Sequence, residues 1–225
     1  AIIIVENVPQ KPVSPVINVV HIKDTDGISQ NVFGAGKGNT ATVTSNPMVN
    51  IGYNHATMAQ YIPLNANGDS IYHVQGRTPR AYVKGSVYGG GEYGKVIGNP
   101  SVNINRSNTV VDNFVYGAGC GNDTDIDCAK VTGGTTVRII DGLIKRNVFG
   151  GGEMAIVTGN ARVEVSGGTV GSWETIGDEQ RLHGSIYGGG QGSPNPVNEQ
   201  NMDAADYGRV NGNTYMDISR NAHIL

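Results

Sequence analysis

The chain has 225 residues, with 16 Lys plus Arg against 19 Asp plus Glu and a net charge of −3, and it shows no basic stripe of the kind a nucleic-acid binder carries. Its longest wholly apolar run, residues 1–5, is far short of the roughly 20 residues that cross a bilayer, so no membrane insertion by this segment is expected. The 34 glycines follow no strict triplet, which excludes collagen.

Residues 6–15 contain Pro9, Pro12 and Pro15. Residues 1–15 therefore read as a linker or an incoming strand, ahead of a repeat domain over 16–225. Ile17-Asn18-Val19 after Pro15 resembles Val49-Asn50-Ile51 after Pro47, so the chain is expected to enter part-way through a repeat. Phe33-Gly34-Ala35-Gly36 then opens a phrase that returns at Tyr88, Tyr116, Phe149 and Tyr187, each time with Val or Ile before the aromatic. A second phrase follows every copy, at 43–51, 96–104, 131–139, 157–165 and 210–218. It reads Val, any, small, Asn or Gly, two more, then apolar-any-apolar. A third and weaker phrase lies at 108–110, 142–144, 168–170 and 221–224. Such recurrence marks a repeat architecture.

Period-two alternation is the strand signal, and Gly-Asn, Gly-Gly and Asn-Pro mark the corners between strands. No segment carries a capped 3.6-residue period, so little helix is expected. Three short strands per repeat predict an all-β fold, a parallel β-solenoid (β-helix) of about 25–35-residue coils with loop insertions. Inward Val, Ile, Tyr and Phe would form ladders at the strand spacing of about 4.8 Å. Glycine recurs after the aromatic because a corner stacked on a corner leaves no room for a Cβ. A β-propeller or a sandwich is the alternative. Insertions are read at 52–85 and 171–183, the latter holding the sole tryptophan, Trp173. Residues 224–225 fall where another aromatic–glycine phrase would begin, so a fragment of a longer array is expected.

Candidate chemistry is sparse. Asp123, Asp125 and Asp127 alternate in a glycine-containing loop, the oxygen pattern that Ca²⁺ favours. The EF-hand spacing is not completed, because Gly134 stands at the twelfth position. Cys120 and Cys128 flank that loop and are candidates for a disulfide, which would fit an extracellular location. Glu92 and Glu153 follow the glycines in alternate copies, with Cys120 between them, and read as exposed corner residues rather than an acid–base pair. Tyr72, Tyr82, Trp173 and Tyr207 lie in or beside insertions, where they would stack on a sugar or pack the insertion down. No catalytic residue is assigned.

The V-[YF]-G-[GA]-G … V-x-G-N-x-x-V-x-I phrase resembles the glycine-rich repeats of large secreted or surface-anchored proteins of anaerobic bacteria. The resemblance covers residues 31–225 apart from the insertions. It implies an extracellular or cell-surface, adhesin-like β-solenoid, a non-enzymatic stalk or filament scaffold displaying loops. Its partners would be further repeats or other copies of the same protein, with a glycan or a surface protein as ligand. A polysaccharide lyase or hydrolase on a β-helix, or a phage tail-spike segment, is the rival reading.

Overall fold

The computed structural model describes residues 4–6, 19–22, 30–52, 81–193, 206–219 and 221–225. Every named element among them is a β-strand, with no α-helix. Each repeat contributes extended segments to four sides. The aromatic side stacks Val32–Phe33, Val87–Tyr88, Val115–Tyr116, Val148–Phe149 and Ile186–Tyr187, all parallel. A second side stacks Thr42–Val43, Lys95–Ile97 and Val131–Thr132, and parallel bridges continue it through Val157 and Val210. The third and longest runs Val19–Ile22, Met48–Ile51, Ser101–Ile104, Thr135–Ile139, Ala161–Val165 and Thr214–Ile218, again parallel. Ile4–Glu6 pairs antiparallel on its outer edge. The fourth stacks Tyr82–Val83, Val110–Val111, Leu143–Ile144, Thr169–Val170 and His223–Ile224.

The fold is therefore all-β, built of parallel strands in stacked sheets. This is consistent with a helix-like parallel path and unlike the antiparallel sheets of a propeller or sandwich. Four sides replace the three strands per repeat expected, because the leading Val of the second phrase and its apolar-any-apolar tail belong to different sheets. Three boundaries also move. Val111, not Val110, is in register with Ile144. The partner of Val49-Asn50-Ile51 is Val20-His21-Ile22 rather than 17–19. Tyr82–Val83, read as insertion, is a rung of the fourth side.

Identical sequence positions stack because the register holds from rung to rung. Val49, Val102, Val137 and Val163 form one inward column and Ile51, Ile104, Ile139 and Val165 the next, all at most 1% exposed. They share a single core with the Val of the aromatic side and the apolar residues of the fourth side. The aromatic rings do not join that core. Alternation along a two-residue strand sends Val87 inward and Tyr88 to the other face. There Phe33, Tyr88, Tyr116, Phe149 and Tyr187 stack ring on ring, with centroids 4.7, 4.8, 5.0 and 4.8 Å apart. That interval is the strand spacing itself.

The glycine after each aromatic follows from the same stacking. A Cβ on Gly34, Gly89, Gly117 or Gly150 would collide with the carbonyl oxygen of Gly89, Gly117, Gly150 or Gly188 in the next rung. The amides of these four glycines also donate across the rungs, to the carbonyls of Tyr88, Tyr116, Phe149 and Tyr187 at 2.8–3.0 Å. Close approach, not positive φ, imposes glycine here.

Candidate functional site

The residue after each glycine run forms a column beside the aromatic ladder. Backbone bonds from Glu92 to Gly36, Cys120 to Gly91, Glu153 to Gly119 and Gln191 to Gly152, all 2.9–3.1 Å, set its order. Glu92 and Glu153 are thus two rungs apart with Cys120 between them, the spacing the repeat implied. They are not simply exposed corners. Lys37 lies 3.5 Å from Glu92. Tyr88 Oη donates to Glu153 Oε2 at 2.6 Å, and Cys120 Sγ reaches the same oxygen at 3.2 Å. Tyr116 Oη donates to Gln191 Oε1. Burial, reinforced by the Glu153 charge, pushes the Cys120 thiol up to about 12. The same causes lift the Tyr88 and Tyr116 phenols well above the ordinary range. The Cys120 thiol and the two phenols therefore keep their protons, and with Glu153 and Gln191 they form a polar seam between rungs.

The acidic loop is organised by its own turn. Asn122 Oδ1 accepts from the amides of Thr124 and Asp125 at 3.1 and 2.8 Å, and Asp125 Oδ1 accepts from Asp127 N at 3.0 Å. Asp127 pairs with Lys130 at 2.7 Å, and that hydrogen bond holds its carboxyl below the usual carboxylate range. Among the described residues, no three His, Cys, Asp or Glu side chains converge as a metal site. Cys120 and Cys128, the candidates for a disulfide, are both free thiols here. Cys120 turns to Glu153, whereas Cys128 is buried with Sγ 3.8 Å from the Tyr93 carbonyl. Tyr207 Oη donates to the Asp123 carbonyl at 2.8 Å, which holds Tyr207 against the loop. Tyr72 lies outside the described residues.

The third sequence candidate, Trp173, leads to a feature the sequence did not reveal. Ser172–Ile176 and Glu179–His183 form an antiparallel hairpin that replaces the next corner of the fourth side. The residues just past the preceding fourth-side strands, Lys84, Asp112 and Lys145, stack beneath it, and Arg146 follows Lys145. Between this corner and the hairpin lies a groove of about 450 Å³.

Its walls are held by fixed charge pairs. Lys145 Nζ lies 2.7 Å from Asp112 Oδ1, while Tyr82 Oη donates to Asp112 Oδ2 at 2.7 Å. The Asp112 carboxylate raises the Lys145 pKa. Arg146 Nη2 donates to both Glu174 oxygens, at 2.7 and 2.9 Å, and His183 Nε2 lies 2.9 Å from Oε2. The Arg146 guanidinium carbon also stands 5.7 Å from the Phe114 ring centroid. Strand alternation turns Ser172 and Glu174 toward the corner. Trp173, opposite Leu182, lies at the rim and is 61% exposed. The repeat register carried the missed signal, because charged residues directly follow Val83, Val111 and Ile144.

No helix among the described residues is long and apolar enough to cross a membrane. Compared with known proteins, the chain matches no family model, no curated protein and no solved structure.

Proposed function

We propose that this chain is a non-enzymatic repeat module of an extracellular or cell-surface protein, a parallel β-solenoid that serves as a rigid, adhesive scaffold. The observation that carries this reading is the unbroken register of four parallel sides, with an aromatic ladder running through five rungs. A ladder in which each rung contacts only its neighbours gives a stiff body whose length is set by repeat number. Insertions at its edges are then the place for ligand contact.

The carboxylates support the same reading over a lyase or hydrolase. Glu153 is engaged by Tyr88 and Cys120, Asp112 by Lys145 and Tyr82, and Glu174 by Arg146 and His183. The partners we assign are further rungs of the same repeat, in other copies or other repeats, together with a glycan ligand. A glycan-array screen with and without EDTA, run beside light scattering, tests this. Saturable binding, or growth into elongated particles, is the expected outcome. A compact, monodisperse particle silent on the array and cleaving a polysaccharide would overturn it.

A further inference from the structure

We infer that the groove between the fourth-side corner and the hairpin binds a saccharide carrying a carboxylate, of the hexuronic acid class. This rests on the adhesive reading and gives it a site and a ligand chemistry. The volume of about 450 Å³ lies within the usual range for small-ligand sites, roughly 300–1,000 Å³. Three cationic side chains, Lys84, Lys145 and Arg146, face two carboxylates, Asp112 and Glu174, so one positive charge is in excess. The two carboxylates already have Lys145 and Arg146 as partners. Lys84 is the groove cation with no carboxylate partner among the described residues. It is exposed and therefore free to meet a ligand anion.

The ring chemistry follows from the rim. A pyranose has an apolar C–H face and a periphery of hydroxyls. Trp173 offers an uncovered apolar ring with a single polar edge. Asn113, Ser172 and Thr175 also line the groove and carry neutral amide and hydroxyl groups, which match sugar hydroxyls better than a phosphate. A peptide would ask for several apolar pockets or a strand edge to extend, and one exposed aromatic among polar groups is a poor match. The ion pairs also fix the walls before any ligand arrives, because Arg146 grips Glu174 with two hydrogen bonds and the hairpin with it.

The chain contains one tryptophan, so its fluorescence reports on the groove directly. Titration of the whole chain with glucuronic acid is expected to change Trp173 emission saturably. Glucose, of the same ring without the carboxylate, and acetate, the carboxylate without the ring, should not. Lys84→Ala is expected to weaken glucuronate binding about tenfold, the loss of one charged hydrogen bond. Lys37→Ala, an exposed lysine on a different corner, should leave it unchanged. Calorimetric titration of Trp173→Ala, with circular dichroism to check the fold, gives a second measure and should show weakened binding. The inference is overturned by a silent titration, by an equal response to glucose or to acetate, or by Lys84→Ala binding as the parent does. Glycan-array binding that persists undiminished in Lys84→Ala would overturn this site and leave the adhesive reading standing.

Discussion

Gly117 and Gly38 are the same residue under opposite constraints. A Cβ at Gly117 meets the Gly150 carbonyl of the next rung, whereas at Gly38 it meets nothing within 4 Å. Gly117→Ala is expected to cost about 2–3 kcal/mol, because backbone cannot move aside without opening two rungs. Gly38→Ala should stay within about 0.5 kcal/mol of the parent. Urea titration of both variants decides the point, and equal midpoints would refute the close-approach account of the repeat. The tyrosine seam makes a second residue-level prediction. The Tyr88 and Tyr116 phenols and the Cys120 thiol have folded pKa values raised by burial and by Glu153. In the unfolded chain they ionise at about 10 and about 8.5. Their contribution is therefore complete below pH about 8.5 and declines as pH rises, for the thiol up to its folded value of about 12. Alkaline melts should show this fall. Tyr88→Phe loses the bond to Glu153, about 1 kcal/mol at neutral pH, and should fall less steeply than the parent between pH 9 and 11, a window set by the ordinary phenol value.

At the scale of the element, what the sequence disclosed tracks how hard each strand is constrained. The aromatic–glycine phrase was readable because ring stacking and carbonyl contact fix three consecutive positions. The long side was readable because it alternates over four or five residues, as in Thr135–Ile139. The fourth side has two-residue strands, too short to show a period, so the sequence alone neither separates Val110 from Val111 nor marks Tyr82–Val83 as a rung. A one-residue slip exchanges the faces of a strand, and only the register to Ile144 resolves it. The repeat spacing marks 171–183 as an insertion, but SWETI and EQRLH do not alternate cleanly, since neither face enters the core. The groove stayed hidden because its residues come from three stacked rungs and the hairpin of a fourth, and meet only after stacking. The hairpin's attachment is testable here too. Arg146→Ala removes the two bonds to Glu174 at a half-exposed site, so global stability should fall by no more than about 1 kcal/mol. Hydrogen exchange over 172–183 should nevertheless quicken several-fold, because the hairpin is held mainly at its base. Unchanged exchange there would mean that the charge pairs do not anchor it.

For the whole molecule, the stack has a direction. On one side the long sheet is bordered by Ile4–Glu6, which runs antiparallel and breaks the parallel register. On the other side its last strand is Thr214–Ile218, with Tyr187 and Ile224 in the same rung. There Tyr187, Met216, Ile218 and Ile224 are 45, 49, 45 and 38% exposed, while Phe149, Val163, Val165 and Val170 one rung below are at most 5%. The same columns that form the core thus reach the surface beside a strand edge that has no partner among the described residues, a surface that invites further pairing. On the scaffold reading this face meets another rung, and the parent chain should gain apparent mass with concentration in light scattering. Met216→Lys with Ile218→Lys should abolish that gain by placing two like charges on the face. Because these side chains are about half exposed, the double variant should melt within a few degrees of the parent. Val102→Ala, inside the same ladder with rungs on both sides, should cost about 2 kcal/mol instead. A parent whose mass is independent of concentration, with no change in the lysine variant, would mean that the exposed rung does not recruit another and that the scaffold does not extend from this face.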